Sequence, residues 1–185
     1  MSPRWVWTLG TLAVMGVGLA GYAFSTGPNA PAAAPGMAGG ESAPSLALPD
    51  LTGRTRTLDE WRGRVILLNF WASWCSPCMY EIDDLIRYQK EYAGRGLQIL
   101  GIGVDAPRKL ANVRRSLGIV YPVLVADPMS GILERWGDTR RMIPYSVLLD
   151  RRGRVVWRYR GLLNDEVFAD KVLPLLAPGT SVAAD

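Results

Sequence analysis

Two cysteines, the only ones in the 185-residue chain, lie three positions apart as Cys75 and Cys78. Such a pair supports either a stabilising crosslink or reversible thiol–disulfide exchange. The crosslink would be weak, because closing so short a loop contributes about 2 kcal/mol in the chain-entropy model, against about 5 kcal/mol for a loop of roughly 100 residues. The spacing therefore favours a redox function over a structural one.

The position of the pair favours the same chemistry. Residues 64–70 form a dense apolar run that predicts a buried strand, and residues 76–93 carry apolar side chains at helical spacing. Cys75 then lies at a helix N-terminus, where free N–H groups and the helix dipole stabilise a thiolate. A thiol pKa lowered from about 8.5 to about 7 leaves about half of the thiol ionised at neutral pH. Cys75 is the predicted nucleophile, and Cys78, one turn further in, is predicted to release the substrate.

Two neighbouring side chains are candidates for substrate contact. Pro77 suits the first turn of the helix, because the N–H that it lacks would be unsatisfied there, and it helps to fix the turn. Trp74 is either an exposed aromatic surface beside the nucleophile or a core aromatic, and the sequence leaves both interpretations open.

The chain contains no histidine, which excludes several kinds of site. Ser-His, Cys-His and His-metal chemistry are all removed. Two cysteines alone do not fill a tetrahedral zinc shell within one chain. We therefore predict no metal and no cofactor, the redox group being the Cys75–Cys78 disulfide itself.

Around these residues, strand-like apolar runs alternate with helical patterns, which predicts an α/β fold with parallel strands in its sheet. The predicted strands are residues 64–70, 97–104, 122–125, 146–150 and 155–159. The predicted helices are residues 76–93, 108–117, 130–136 and 164–176. The last two strands are separated by a short segment that contains Gly153, which predicts a hairpin.

The N-terminal part of the chain has a different composition. Residues 5–24 carry no charge and are long enough to cross a bilayer as a helix, with Arg4 before them and no charged residue after them until Glu41. They predict a membrane segment with a cytoplasmic N-terminus; retention as an anchor is favoured over cleavage as a signal peptide. Residues 25–44 are a predicted Pro/Ala/Gly linker, residues 45–177 the globular domain and residues 178–185 a tail.

The charge pattern argues against a nucleic acid partner. The formal net charge is +4, and the arginines are spread along the chain without a long basic run. A phosphate backbone would require a concentrated basic stripe or patch. The inner membrane, contacted through residues 5–24, is the predicted non-protein partner.

Residues 68–78 (LNFWASWCSPC), followed by Glu81 and by Ile143-Pro144 before a strand, resemble the thioredoxin superfamily. Within it, they resemble the membrane-anchored extracytoplasmic reductases of the TlpA/ResA type. The resemblance covers residues 45–176. It implies a thioredoxin-like fold with a central mixed β-sheet flanked by helices, preceded here by the predicted transmembrane helix.

The resemblance also implies roles for the residues around Ile143-Pro144. In that family the proline is cis and faces the disulfide, and the backbone just before it pairs with substrate. Pro144 and Ile143 match these positions, although by spacing alone a trans proline would be expected. Tyr145 stands where threonine is common, which makes it a candidate for altered substrate fit.

An acidic residue completes the predicted site. Asn69 lies where many cytoplasmic thioredoxins carry a buried acid that moves protons for the inner cysteine, so this chain lacks that group. Glu81 follows Cys78 by three residues and is either that proton acceptor or a solvent-facing acid favoured by the helix N-terminus.

The leading hypothesis is a periplasmic reductase of disulfides in exported proteins, apocytochrome c among them, recharged by a transmembrane thiol relay. One alternative is a thiol oxidase or isomerase, although strong oxidants of this fold carry a histidine between the cysteines. A peroxidase is also conceivable. Another alternative is a non-catalytic copper- or partner-binding module, with Met79 and Met142 as the available soft ligands.

Overall fold

The computed structural model of the chain describes residues 40–177, and its centre is a six-stranded β-sheet. The strands are β1 (Glu41–Ser42), β2 (Ala47–Pro49), β3 (Thr55–Thr57), β4 (Val65–Trp71), β5 (Leu97–Gly103), β6 (Val123–Val125), β7 (Tyr145–Leu149) and β8 (Arg154–Arg160). The α-helices are α1 (Ser76–Tyr92), α2 (Pro107–Leu117), α3 (Ile132–Arg135) and α4 (Asp165–Lys171). Short 3-10 helices cover Leu58–Trp61, Ala93–Arg95 and Leu173–Leu176.

The sheet is mixed, as predicted. Its strand order is β1-β8-β7-β4-β5-β6. Strands β4, β5 and β6 are parallel, whereas β7 is antiparallel to β4, and β8 and β1 continue the antiparallel side. Strands β2 and β3 form a separate hairpin. The α/β class and the C-terminal hairpin of β7 and β8 are therefore confirmed.

Strand β4 is buried along its whole length because it lies between β7 and β5 with both faces covered. Leu67 and Trp71 belong to the core on the side of helix α1. Leu68 and Phe70 face the opposite core, where the Phe70 ring lies 6.4 Å from the ring of Trp136. Burial on both faces explains the nearly continuous apolar run, and the strand ends beside the cysteines.

Asn69 interrupts the apolar pattern of β4 on the side of helix α1. It pairs in register with Gly101 of β5. A Cβ at Gly101 would lie 2.9 Å from Trp71 Nε1 and 3.0 Å from Tyr121 Cε2, so any larger residue would displace one of them. The glycine leaves room for polar atoms on the same side of the sheet as the cysteines.

The predicted elements and the observed ones agree closely in the middle of the chain. All five predicted strands and the first two predicted helices are confirmed to within one residue at each end. The helix predicted at 130–136 begins only after Gly131, whose φ of 66° is left-handed, and it covers four residues. The helix predicted at 164–176 ends at Lys171, and a 3-10 turn with Pro174 in its first turn follows, because proline does not continue an α-helix.

The structure also changes the N-terminal boundary. Strand β1 pairs with β8 although it falls within residues 25–44, the predicted linker, so the end of that range is part of the sheet. The predicted membrane segment 5–24, most of the linker and the tail 178–185 lie outside the described residues. Within residues 40–177, no helix has both the length and the apolar character needed to cross a membrane.

Candidate active site

The cysteine pair lies where strand β4 passes into helix α1. Cys75 is the N-cap residue of the helix, with extended backbone angles, and it forms a disulfide with Cys78 across a Cα–Cα distance of 5.3 Å. The backbone N–H of Cys78 donates to Cys75 Sγ at 3.3 Å. A thiolate at position 75 would therefore face a hydrogen-bond donor and the positive end of the helix dipole.

Exposure distinguishes the two cysteines and their neighbours. Cys75 is 5% exposed and Cys78 is 1% exposed, so Cys75 is the outer residue of the pair, as predicted. Trp74 is 69% exposed, which rules out a core position and leaves it as an aromatic surface beside the nucleophile. Pro77 is exposed in the first turn of α1.

The Ile143-Pro144 segment lies directly against the disulfide. The peptide bond between these residues is cis, which confirms that prediction. The carbonyl oxygen of Ile143 is 3.8 Å from Cys75 Sγ. Ile143 is partly exposed and Pro144 is buried, so the backbone before the proline is the part of this segment that a substrate could reach.

Tyr145 requires a correction, because its side chain does not face the disulfide. It is fully buried in the core on the other side of the sheet, where its ring lies 5.7 Å from that of Phe70. Its hydroxyl donates to the carbonyl oxygen of Trp136 at 2.8 Å. Since consecutive strand residues point to opposite faces, the side chain of Tyr145 supports the fold and does not contact a substrate.

Glu81 is buried, with only 2% of its surface exposed, so the solvent-facing alternative is wrong. Asn69 Nδ2 donates to Oε2 at 3.2 Å, and the backbone N–H of Leu163 donates to Oε1 at 3.0 Å. Burial raises the pKa of Glu81 to about 7, and these two hydrogen bonds offset only part of that effect. Glu81 also lies three residues after Cys78, hence on the same side of α1.

The surroundings of Glu81 contain further polar atoms. Among residues 40–177, Asn69 Oδ1, Trp71 Nε1 and the Tyr121 hydroxyl are buried and have no hydrogen-bond partner. Burial also raises the pKa of Tyr121, and the charge of Glu81 adds to this effect. The polar atoms on this side of β4 therefore form the environment in which Glu81 gains or loses a proton.

Two features of the site were missed by the sequence analysis. The hydroxyl of Ser73 hydrogen-bonds to Asp105 Oδ2, which links the segment before Cys75 to the end of β5. Burial alone would raise the pKa of Asp105. The hydrogen bond from Ser73 and other contacts have the larger combined effect, so the pKa of Asp105 lies below its usual value. The N–H of Leu163, which binds Glu81, is a backbone group and carries no sequence signal.

The described residues offer little to a metal ion. Within 40–177, no three His, Cys, Asp or Glu side chains come together as metal ligands would. Of the two methionines considered for copper, Met79 packs against the core, whereas Met142 is 56% exposed next to Ile143.

A disulfide at the N-terminus of a helix that follows the central strand, facing a cis-proline segment, defines a thioredoxin-like thiol–disulfide oxidoreductase. The chain belongs to the AhpC/TSA family, whose sequence model matches residues 39–170. The family and the fold predicted from residues 68–78 are thus confirmed.

Individual relatives agree with this class. The chain is 34% identical over 161 residues to the thiol:disulfide interchange protein HelX of Rhodobacter capsulatus, a match that covers 85% of this chain and 88% of HelX. It is 30% identical to the thiol-disulfide oxidoreductase ResA of Geobacillus thermodenitrificans over 70% of this chain and 74% of ResA. A thioredoxin family thiol:disulfide interchange protein from Chlorobium tepidum superposes with a TM-score of 0.67 at 29% identity, over 76% of this chain and 99% of its own. The chain is accordingly a thiol–disulfide oxidoreductase.

Proposed function

We propose that this oxidoreductase works as a reductase of disulfides in exported proteins, in the periplasm, held at the inner membrane by residues 5–24. The observation that carries the proposal is the site itself: a helix-capping Cys75 against the Ile143 carbonyl, with the buried Glu81 behind it. The uncharged segment 5–24, with Arg4 on its N-terminal side, supports export of the domain.

Reduction of a substrate proceeds by two exchanges. In the dithiol form, the Cys75 thiolate attacks one sulfur of the substrate disulfide; a mixed disulfide forms and the other substrate sulfur leaves as a thiolate. Cys78, after losing its proton, attacks Cys75 Sγ and releases the second substrate sulfur. The substrate gains two electrons and two protons, and the enzyme is left with the Cys75–Cys78 disulfide.

The residues around Cys75 serve the first exchange. The N–H of Cys78 and the N-terminus of α1 stabilise the Cys75 thiolate. The backbone of Ile143, held next to Pro144, pairs with the substrate segment beside its disulfide. Trp74 offers an exposed apolar ring to the same segment, which suits the unfolded or partly folded chains that expose apolar side chains.

Glu81 serves the second exchange. Cys78 is buried, so its thiol has no bulk water to receive its proton. A carboxyl group with a pKa of about 7, one turn along the same helix, is close to half ionised at neutral pH and is suited to accept that proton. We assign to Glu81 the role of general base for Cys78.

The electrons must be replaced after each turnover. An exported domain has no access to cytoplasmic NADPH, so a transmembrane thiol relay is the proposed donor, entering by exchange with the Cys75–Cys78 disulfide. Apocytochrome c, whose haem-binding cysteines must be reduced before attachment, is the proposed specific substrate. No metal or cofactor takes part in these steps.

The reduction potential decides between this function and an oxidase or isomerase. We expect the Cys75–Cys78 couple to have a potential of about −270 mV, because no histidine lies between the cysteines to stabilise the dithiol form further. Equilibration of the full-length protein with defined glutathione or dithiothreitol ratios, followed by thiol labelling, measures it. A potential near about −120 mV would instead identify a thiol oxidase.

A further inference from the structure

The segment that leads to Ile143 contains another buried acid, Asp138, whose side chain is completely inaccessible to solvent. Arg160 Nε donates to Asp138 Oδ1 at 2.6 Å, so the two side chains form an ion pair. The backbone N–H of Met142 donates to Asp138 Oδ2 at 2.6 Å, and that of Arg140 donates to Oδ1 at 3.3 Å. One carboxylate thus holds three donors, two of them from the segment that it precedes.

Arg160 connects this segment to the sheet. It is the last residue of β8 and pairs in register with Tyr145 of β7, the residue after Pro144. Its Nη2 also donates to the carbonyl oxygen of Gly137 at 3.1 Å, and its guanidinium lies 5.6 Å from the centre of the Tyr145 ring. The position of Asp138 is therefore fixed relative to the start of β7, directly after the cis proline, and to the end of β8, which pairs with it.

The backbone between these contacts adopts a conformation that needs support. Arg141 has a φ of 51°, in the left-handed region, and is the only non-glycine residue with a positive φ in residues 40–177. Such a conformation is unfavourable for a residue with a side chain and persists where surrounding contacts enforce it. Here the flanking N–H groups of Arg140 and Met142 are both held by Asp138, and Arg141 forms an ion pair with Glu134.

We propose that the Asp138–Arg160 pair is a positioning device that fixes the Met142-Ile143-Pro144 segment as the edge on which protein substrates dock. The inference rests on the proposed function, because it concerns the substrates of the same site. The pair does not touch the disulfide; it acts through the N–H of Met142, next to the residue whose carbonyl faces Cys75. Its contribution is to the binding of an extended chain, whereas the reactivity of the sulfur is set by helix α1.

A matched control is available at the other end of the same hairpin. The Asp150 carboxylate accepts hydrogen bonds from the backbone N–H groups of Arg152 and Arg154, and it forms an ion pair with the Arg154 side chain. It follows β7, and Arg154 begins β8, so this pair supports the turn farthest from Ile143 along the hairpin. Asp150→Asn removes a similar charge and similar contacts without altering the proposed docking edge.

The test compares Asp138→Asn, Arg160→Gln and Asp150→Asn in the full-length protein in detergent. Insulin is the protein disulfide, turned over with dithiothreitol as the reductant, and 5,5′-dithiobis-(2-nitrobenzoate) is the small disulfide, reduced in a single turnover by the pre-reduced protein. We expect the two variants of the pair to raise KM for insulin about tenfold, since small displacements of a binding segment have effects of this size. The kcat for insulin, the rate with the small disulfide and the reduction potential should remain close to wild type. The Asp138→Asn/Arg160→Gln double variant should have a KM for insulin no higher than that of either single variant, because both substitutions remove the same support.

Three outcomes would overturn the inference while leaving the proposed function intact. An unchanged KM for insulin in the folded variants would show that the pair does not position the docking edge. An equal loss with insulin and with the small disulfide, or an equal effect of Asp150→Asn, would show a general structural role.

If Asp138→Asn does not fold, Arg160→Gln carries the same test, because the Arg160 side chain is 40% exposed and its removal leaves a smaller defect. A wild-type protein that reduces neither disulfide would contradict the proposed function and this inference with it.

Discussion

Replacement of Cys78 by alanine is expected to turn the protein into a trap that remains covalently joined to its substrates. Cys75 can still attack, because the helix N-terminus that stabilises its thiolate is intact, but no second thiol is in place to resolve the mixed disulfide. Replacement of Cys75 by alanine should reduce turnover by about 10³-fold or more, since the attacking group itself is lost. Non-reducing electrophoresis with mass spectrometry detects the adducts, and an insulin-reduction assay measures turnover.

The Cys75→Ala/Cys78→Ala double variant is the control for nonspecific adducts. If it binds the same proteins as Cys78→Ala, the adducts do not arise from the site. The assignment of the two roles would be contradicted if Cys75→Ala captured substrates through Cys78, which is the more buried sulfur.

Replacement of Glu81 by glutamine is expected to slow the second exchange by about 10²-fold at neutral pH, the usual contribution of a general base. In the wild type this step should also slow as the pH falls through about 7, because Glu81 becomes protonated and no longer accepts the Cys78 proton. The variant should lack that inflection. Stopped-flow measurement of mixed-disulfide resolution between about pH 5 and pH 9 tests both statements; Asp83→Asn, an exposed acid on the same helix, is the control.

The ionisation of Glu81 should also affect the free energy of unfolding of the oxidised protein. Because the folded protein holds the Glu81 proton until about pH 7 and the unfolded chain releases it near pH 4.5, the free energy of unfolding should fall as the pH rises between these values. The expected loss is about 3 kcal/mol, complete above pH 7. Urea denaturation of Glu81→Gln should lack this contribution, and an identical pH dependence in wild type and variant would mean that Glu81 ionises normally.

The glutamine substitution is suited to this purpose because the surroundings can accommodate an amide. Its oxygen can still accept from the N–H of Leu163. Its NH2 group would face Asn69, whose Oδ1 has no partner in the described part of the chain and can accept a hydrogen bond if the Asn69 amide turns. The variant therefore changes the ionisable group with little loss of hydrogen bonding.

The centre of this molecule could be predicted from sequence because its signals are local. The run 64–70, the helical spacing of 76–93 and the position of Cys75 between them determine a strand, a helix and a helix N-terminus within thirty residues. The cis bond before Pro144 required the family resemblance, because most X-Pro bonds are trans.

Features that depend on distant contacts could not be predicted in the same way. Strands β1, β2 and β3 have two or three residues each, too short for an alternating pattern to show. The inward position of Glu81 depends on Asn69 and on the backbone of Leu163, which is 82 residues away. The role of Asp138 depends on Arg160, at the far end of another strand.

The role of Tyr145 in substrate fit was predicted wrongly for a related reason. A substitution next to a substrate-binding residue suggested a change in substrate fit, but neighbouring strand residues point to opposite faces of a sheet. The carbonyl group before Pro144 faces the disulfide, whereas the Tyr145 side chain packs on Phe70. Because β7 is buried on both faces, knowledge of which face lies toward the disulfide would have been needed to assign Tyr145 correctly.

The central claim is that Cys75 of the reduced protein is an accessible, ionised nucleophile at neutral pH. The rate of its alkylation by iodoacetamide as a function of pH, with mass spectrometry to locate the label, tests it most directly. We expect labelling at Cys75 well before Cys78, with the rate reaching half of its plateau clearly below pH 8.5, roughly the pKa of a free cysteine. Preferential labelling of Cys78, or a Cys75 that reacts only at or above that pH, would contradict the mechanism.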